Sequence, residues 1–276
     1  MLTKKLNNGL HIPKIGFGTW QITENVDLII HTALQAGYRH IDTAVLYGNE
    51  TEIGHAIKNA GINREEIFLT TKVWNTHRGY ENVLQSFEES LNKLQTDYID
   101  LYLLHWPEKT STENWDEINA SSWRALEELY LQGKVKAIGV SNFMLIHLDS
   151  LLKKCSIKPM VNQIEYHPGY LQDEVITYCK DRNIAIAAWS PIGSGRLLQH
   201  PLLKDLAQKY HISVAQLCIQ FALQNDIIVL PKSTNKENII NNINLPKFTI
   251  DEHDMALIKN MEEAGFSGLH PDKVDF

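Results

Sequence analysis

Short apolar runs alternate with amphipathic stretches along the whole chain, and this alternation restricts the folds open to it. The runs are near-continuously apolar in several cases, as in strands buried on both faces, and they cover residues 15–17, 38–42, 67–72, 99–105, 135–140, 160–165, 184–189 and 227–230. Between them lie stretches of helical period, of which 81–94 is the clearest. Repeated strand-then-helix units predict parallel strands with right-handed crossovers, and eight such units predict a closed (β/α)8 TIM barrel, an α/β fold.

Two further segments lie outside the repeats. Residues 3–12 carry Asn7-Asn8-Gly9 at their centre, which is typical of a β-hairpin whose turn needs positive φ. We expect this hairpin to close the bottom of the barrel, and we expect residues 251–263 to form an extra outer helix. No linker or low-complexity segment divides the 276 residues. Residues 1–276 are therefore expected to form one domain, as α/β barrels of roughly 250 residues do.

The composition excludes several classes of function. With 43% hydrophobic and 21% charged residues the chain is ordinary for a globular protein, and its net charge of −7 argues against nucleic acid or an anionic membrane as a partner. The amino terminus has no signal-peptide pattern, and no apolar run is long enough to cross a bilayer. The three cysteines (Cys155, Cys179 and Cys218) are widely spaced and form no paired motif, so we expect reduced thiols and a cytoplasmic protein.

Polar groups close nearly every predicted strand, at the end where a parallel barrel carries its active site. The endings are Asp42 (with Tyr47 in the following loop), Lys72, His105, Ser141-Asn142, Asn162-Gln163, Trp189-Ser190 and Pro231-Lys232-Ser233. Taken singly, these residues fit a helix cap, a surface lysine, a loop aromatic or a core histidine. Taken together, an acid, a lysine, a tyrosine and a histidine predict a proton-transfer site. We expect the lysine and the aspartate to bring the pKa of the phenol toward neutral pH.

A series of short motifs stands in order along practically the whole chain. It comprises Gly16-Phe-Gly-Thr-Trp20, Gly37-Tyr-Arg-His-Ile-Asp-Thr-Ala-x-x-Tyr-Gly-Asn-Glu50, Lys72-Val-Trp-Asn, Leu104-His-Trp-Pro107, Gly139-Val-Ser-Asn-Phe143, Asn162-Gln-Ile-Glu-Tyr-His-Pro168 and Ile228-Val-Leu-Pro-Lys-Ser233. The series resembles the signatures of the aldo-keto reductases, and most of all those of small microbial members that reduce diketogluconate or methylglyoxal. The resemblance implies hydride transfer from a nicotinamide cofactor to a carbonyl compound.

The resemblance also implies a role for each matching residue. Tyr47 is expected to donate a proton to the carbonyl oxygen, Lys72 paired with Asp42 to tune that phenol, and His105 to orient the carbonyl. The nicotinamide contacts are expected from Ser141, Asn142 and Gln163 on the carboxamide and from Trp189 on the ring. Other implied cofactor contacts are Thr19, Trp20, Ser190, Ile192 and Ser194. An apolar substrate pocket is expected from Trp20, Trp74 and Trp106.

The choice between NADPH and NADH depends on the residues after the last predicted strand. By the resemblance, Lys232 and Ser233, followed by Thr234, hold the 2′-phosphate of NADPH. The family usually places an arginine six residues after the lysine, and this chain has Asn238 there. Asparagine cannot replace the bidentate contact of arginine. Asn241 and Asn242 remain as contacts for the adenine. We therefore expect NADPH to be preferred and NADH to be used as well.

Other chemistries fit the sequence less well. The glycine patterns at 16–21 and 193–198 lack the third glycine of a dinucleotide-binding fingerprint, and no histidine spacing indicates a metal site. A lyase that forms a Schiff base at Lys72 is one alternative, and it leaves Tyr47, Ser141-Asn142 and Lys232-Ser233 without a role. A catalytically silent nicotinamide-binding regulatory protein of the same fold is the other.

The substrate is expected to be a small, activated carbonyl compound accepted with broad specificity. This expectation rests on the three tryptophans and on a chain that ends at Phe276, soon after its outer helix, which predicts a short carboxyl-terminal loop and an open site. The family resemblance also implies a monomer.

Overall fold

A computed structural model describes residues 2–274 and shows a barrel of eight parallel strands behind an amino-terminal hairpin. The hairpin strands are β1 (Thr3–Lys5) and β2 (His11–Pro13). The barrel strands are β3 (Phe17–Gly18), β4 (His40–Asp42), β5 (Phe68–Val73), β6 (Leu101–Leu104), β7 (Ile138–Ser141), β8 (Val161–Glu165), β9 (Ala185–Trp189) and β10 (Ile228–Leu230). They pair in chain order, and a parallel bridge from Ile15 to Val229 joins the last strand to the first. The sheet is therefore closed, and the predicted barrel is confirmed.

The barrel strands match the predicted apolar runs to within a few residues. Every residue in them is buried except Trp189, which is half-buried at the end of β9. Burial on both faces explains why these runs are continuously apolar rather than alternating, since helices cover the outside of a parallel sheet. Asp42, Lys72, Ser141 and Glu165 lie at or near the carboxyl ends of their strands, where the loops form one face.

Helices surround the barrel and complete each repeat. They are α1 (Val26–Ala36), α2 (Glu50–Asn59), α3 (Tyr80–Leu94), α4 (Trp115–Leu131), α5 (Leu145–Lys154), α6 (Asp173–Lys180), α7 (Pro201–Lys209), α8 (Val214–Gln224), α9 (Lys236–Ile243) and α10 (Glu252–Lys259). In α3, Val83, Phe87 and Leu94 are buried on the predicted apolar stripe. The ring closes where α9 packs on α1, while α7 and α10 pack together as extra outer helices. The predicted outer helix is thus confirmed.

The hairpin covers the bottom of the barrel, where the strands begin. Its turn contains Gly9 at φ 90°, a backbone conformation that residues other than glycine rarely adopt. The Asn7 amide donates to the Pro159 carbonyl before β8, and the Asn8 amide donates to the Lys136 carbonyl before β7. Lys14 pairs with Asp226 before β10, with Nζ and Oδ1 2.6 Å apart. The hairpin is therefore tied to the starts of three strands, as predicted.

The segment after α10 lies across the loops at the opposite end. Phe266 stacks on Tyr170 with ring centroids 4.4 Å apart, and the Ser267 hydroxyl donates to a carboxylate oxygen of Glu165 at 2.6 Å. Further on, the Thr110 hydroxyl donates to Asp272 at 2.9 Å. We did not predict these contacts, and they show that residues 264–272 pack against the loops after β6 and β8. Phe276, on which the expectation of a short tail rested, lies outside the described residues.

Within residues 2–274, none of the helices is both long and apolar enough to cross a membrane. The three cysteines are free, with Cys179 and Cys218 buried and Cys155 half-buried.

Candidate active site

A buried ion pair lies at the top of the barrel, between neighbouring strands. Asp42 ends β4 and Lys72 lies near the end of β5, and Lys72 Nζ is 2.6 Å from Asp42 Oδ1. Lys72 is fully buried, and its ammonium also donates to the Thr43 carbonyl at 2.9 Å. The second oxygen of Asp42 accepts from the Gln163 amide at 2.8 Å. Both charges thus have fixed partners, which a buried pair needs because desolvation of either charge alone is costly.

Tyr47 stands beside this pair on a short 3-10 turn, Val45–Tyr47, that follows β4. Its hydroxyl oxygen is 3.3 Å from Lys72 Nζ, and the ammonium lies 4.9 Å from the centre of the phenol ring. Burial raises the pKa of the Tyr47 phenol, Lys72 lowers it, Asp42 raises it, and the net shift is upward. We expected the pKa to be lowered, and that direction was wrong: the attraction of Lys72 is present but smaller than the effect of burial.

Lys72 itself is held in the charged form. Burial by itself lowers the pKa of Lys72, but Asp42 and Tyr47 raise it, and the net pKa lies above the ordinary value. A lysine that forms a Schiff base needs a lowered pKa and access to its substrate. Lys72 has neither, which disfavours the lyase alternative.

His105 follows β6 and faces the phenol. Its ring lies edge-on to Tyr47 at 5.6 Å between centroids, and Trp74 packs on it at 5.2 Å. Burial, followed by the charge of Lys72, holds the pKa of His105 well below its ordinary value. The imidazole is therefore neutral at physiological pH, and a neutral ring can donate one hydrogen bond and accept another.

A network of amides and hydroxyls joins the ends of β6, β7, β8 and β9. Asn142, at φ 62°, donates to the His105 carbonyl at 3.0 Å and accepts from the indole Nε1 of Trp189 at 2.8 Å. The Ser141 hydroxyl donates to the carbonyl of Gln163 at 2.8 Å. Asn142 also donates to the Ser141 hydroxyl at 3.1 Å, and Gln163 bonds Asp42, so the network connects the Trp189 ring to the buried ion pair through Asn142, Ser141 and Gln163. The structure thus brings all of these predicted residues together.

The three tryptophans differ in exposure. Trp20 is 46% exposed and its ring centroid is 4.8 Å from that of Tyr47, so it forms an outer wall of the site. Trp74 is half-buried against His105. Trp106 is only 6% exposed and lines a small cavity together with His105 and Trp74.

The remaining predicted cofactor residues lie along the ends of β3, β9 and β10. Thr19 is buried and its hydroxyl donates to the Asp42 carbonyl at 3.0 Å. Ser190 and Ser194 contact each other through their hydroxyls at 2.9 Å, with Ile192 half-buried between them in sequence. After β10, most of the predicted cofactor residues are exposed, namely Lys232, Thr234, Asn238 and Asn241. Ser233 is half-buried and Asn242 is buried. Within residues 2–274, no hydrogen bond joins the side chains of this last group to Asp42, Tyr47, Lys72 or His105.

Comparison with known proteins identifies the family of this chain. The model of the aldo/keto reductase family matches residues 14–263. A glyoxal reductase of Bacillus subtilis is 43% identical over 99% of this chain and 98% of its own length. An aldo-keto reductase from a Medee basin deep-sea metagenome library superposes with a TM-score of 0.94 at 42% identity, with both chains covered in full. A mutant of Gox0644 in complex with NADPH superposes with a TM-score of 0.92 at 35% identity, covering 100% of this chain and 99% of the other.

The chain belongs to the aldo/keto reductase family. It is therefore an NAD(P)H-dependent oxidoreductase, as the motifs predicted.

Two residues that shape the site of this aldo/keto reductase had been given no role. The Asn49 amide donates to the carbonyls of Thr19 at 3.0 Å and Ile22 at 3.1 Å, and its oxygen accepts from the Thr43 hydroxyl at 2.8 Å. Glu165 is 2% exposed and holds Ser267 of the carboxyl-terminal segment. Both lie inside motifs quoted above, but only three-dimensional contacts show that Asn49 joins the loops after β3 and β4.

Proposed function

We propose that this aldo/keto reductase uses NADPH to reduce small aldehydes, ketones and dicarbonyls to alcohols. The observation that carries the proposal is the buried Asp42–Lys72 pair with the Tyr47 hydroxyl 3.3 Å from its ammonium, next to a neutral His105. The names of similar proteins, a glyoxal reductase and an aldehyde reductase of Saccharomyces cerevisiae, support carbonyl reduction.

Tyr47 donates the proton in this proposal. The raised pKa keeps the phenol protonated at neutral pH, which is the form an acid catalyst needs. When the carbonyl oxygen takes that proton, Tyr47 is left as a phenolate, and the nearby ammonium of Lys72 stabilises the new negative charge. Asp42 keeps Lys72 charged and in place. After the alcohol product has left the site, water returns the proton to Tyr47.

His105 orients the carbonyl. A neutral imidazole donates a hydrogen bond to the carbonyl oxygen without competing with Tyr47 as an acid. Trp20 and Trp74 border the phenol and the imidazole and exclude water from the reacting atoms. With Trp106 largely buried, the substrate wall consists mainly of Trp20 and Trp74, and it fits a small carbonyl compound.

NADPH supplies the hydride. In this proposal Ser141, Asn142 and Gln163 bind the carboxamide, and the ring of Trp189, held by its bond to Asn142, stacks on the nicotinamide. In this proposal the part of the cofactor between its nicotinamide and its 2′-phosphate is contacted by Thr19, Trp20, Ser190, Ile192 and Ser194. The complex of a Gox0644 mutant with NADPH, a structure of the same fold at 35% identity, supports this choice of cofactor.

The 2′-phosphate is bound after β10. Lys232 is exposed, and its ammonium has no ion pair or hydrogen bond within residues 2–274, so a cation is available for a phosphate. The other residues proposed to bind this end of the cofactor are Ser233, Thr234, Asn238, Asn241 and Asn242. Asn238 lies in the first turn of α9 with an exposed, uncharged side chain, so NADH is also used.

The free cysteines fit a reducing compartment, and we extend the proposal to a cytoplasmic enzyme with one catalytic domain. The monomeric state stays a prediction.

The test follows oxidation of NADPH or NADH by the loss of absorbance at 340 nm. The substrates are methylglyoxal, an aromatic aldehyde and a keto ester. We expect turnover with several of these carbonyls and a preference for NADPH. Tyr47→Phe should lower turnover by about 100-fold or more, while Tyr98→Phe, which removes another buried hydroxyl at the bottom of the barrel, should retain it. Binding of NADPH without turnover of any carbonyl would instead identify a regulatory protein.

A further inference from the structure

A small cavity lies beside His105. It is lined in part by His105, Trp74, Trp106, Asn119 and Ser122, and it has about 10 Å³ of room for the centre of a water molecule. That is close to the minimum space that one buried water requires, and a buried water also needs polar partners.

His105 provides one such partner. It is 7% exposed, and among residues 2–274 its Nδ1 has no hydrogen-bond partner. The contacts with Tyr47 and Trp74 hold the ring in place. Because buried polar atoms are nearly always paired, a ring nitrogen in this position indicates a missing donor or acceptor.

Asn119, on α4, provides a second partner. It is 4% exposed, and its Oδ1 accepts from the backbone N–H of Glu108 at 2.8 Å. Only the amide oxygen can meet that N–H, so the orientation of the amide is settled by its neighbour. Nδ2, which carries two N–H donors, is buried and has no acceptor in the described part of the chain. The same cavity is thus lined by a residue with an unused donor and a residue with an unpaired ring nitrogen.

We propose that this cavity binds one water molecule, which accepts a hydrogen bond from Asn119 Nδ2 and donates one to His105 Nδ1. The water must place its own O–H groups on an acceptor, and an unprotonated Nδ1 is one. The proton of the neutral imidazole then lies on Nε2, the nitrogen free to donate to a substrate carbonyl. Asn119 is accordingly a positioning residue that acts on catalysis through His105. This inference rests on the role proposed above for His105.

The experiment determines the protonation of the two His105 ring nitrogens by 15N NMR of protein labelled with 15N-histidine. The His105 signals are assigned by their loss in His105→Gln. In the wild type we expect a protonated Nε2 and an unprotonated, hydrogen-bond-accepting Nδ1. Asn119→Leu, which is similar in size but has no donor, should shift the Nδ1 signal and lower kcat with methylglyoxal about fivefold to tenfold, the loss of one hydrogen bond. Ser121→Ala, a neighbouring change on α4 outside the cavity, should change neither.

Asn119→Asp serves where Asn119→Leu fails to fold, because it keeps an acceptor for the Glu108 N–H. The added carboxylate should raise the pKa of His105 and introduce an acid-side fall in kcat that the wild type lacks. A wild-type proton on Nδ1 would overturn the inference. So would unchanged ring signals in Asn119→Leu or, if only the second variant folds, an unchanged pH profile in Asn119→Asp. Failure of the wild type to reduce any carbonyl would instead contradict the proposed function, and the NMR result would still decide the tautomer.

Discussion

The catalytic end and the phosphate end of the site are built in opposite ways. At the catalytic end, Lys72 is fully buried and Asp42 is 3% exposed. Lys72 is bonded to Asp42 on the adjacent strand, and Asp42 also accepts from Gln163 on β8. At the phosphate end, Lys232 and Asn238 are exposed, and Lys232 has no partner within residues 2–274. In the proposed function, the fold therefore organises the catalytic groups in advance, whereas the proposed contacts with the cofactor phosphate would form when the ligand binds.

The difference follows from what each end has to do. A group that stabilises charge in a transition state works best when it is already oriented and desolvated. A group that binds a phosphate needs an available charge, and packing it into the core would leave that charge without solvent before the ligand arrives. Substitutions at the two ends should consequently fail in different ways.

The largest effect is expected from Lys72→Met at the catalytic end. The change leaves Asp42 charged and buried without its cation, so the free energy of unfolding should fall by about 3 kcal/mol. Loss of the cation beside Tyr47 should also lower kcat by about 100-fold or more. Urea unfolding and steady-state kinetics measure the two effects.

The double variant Asp42→Asn plus Lys72→Met sharpens this result. It removes both charges and should recover much of the stability lost in Lys72→Met, but none of the activity. Recovery of activity together with stability would mean that Lys72 acts only by holding the fold.

A smaller effect, on binding alone, is expected from Lys232→Met. Loss of a charge-assisted contact should raise the KM for NADPH about 10-fold to 100-fold. The KM for NADH, which has no 2′-phosphate, should change less than about twofold. Lys247→Met, the loss of another exposed lysine, is the control and should leave both values unchanged. Equal effects on the two cofactors would show that Lys232 does not meet the phosphate.

Asn238→Arg should act in the other direction. The exposed position in the first turn of α9 has room for a longer side chain, so we expect NADPH to be favoured over NADH by a further factor of about 3 to 10. Asn238→Lys adds the same charge without the planar fork and should give a smaller gain. No change in cofactor preference in either variant would place the phosphate elsewhere.

The smallest effect is expected from pH. The pKa of Tyr47 is raised, so the proton-donating form persists as pH rises, and the pKa of His105 is lowered, so the neutral form persists as pH falls. Between about pH 6 and pH 8 the kcat for reduction should therefore change less than about twofold, with a decline only on the alkaline side. An acid limb near pH 6.5 in the wild type would contradict a neutral His105.

Most of the fold could be predicted because its determinants are local. The short, continuously apolar run 184–189 indicates a buried strand by its length, and the stripe of 81–94 indicates a helix by its period. Eight such repeats limit the topology to very few arrangements. The clustering of Asp42, Tyr47, Lys72 and His105 could also be predicted, since the ends of parallel barrel strands share one face, whereas their catalytic roles stay a proposal.

The parts that could not be predicted depend on contacts distant in sequence. The net pKa of Tyr47 is a balance between burial and two neighbouring charges, and a sequence does not show which is larger. The contact of Ser267 with Glu165 joins residues 102 positions apart, and no periodicity marks either partner. No sequence pattern indicated the proposed role of Asn119, because that role depends on a cavity between α4 and β6.

The most direct test of this division of roles is a single-turnover measurement on enzyme preloaded with NADPH and mixed with methylglyoxal, for Tyr47→Phe and Lys232→Met side by side. We predict that Tyr47→Phe binds NADPH as tightly as the wild type but transfers hydride about 100-fold to 10,000-fold more slowly. We predict that Lys232→Met binds NADPH more weakly but, once saturated, transfers hydride at the wild-type rate. Hydride transfer at the wild-type rate in Tyr47→Phe, or slowed transfer in saturated Lys232→Met, would contradict the account.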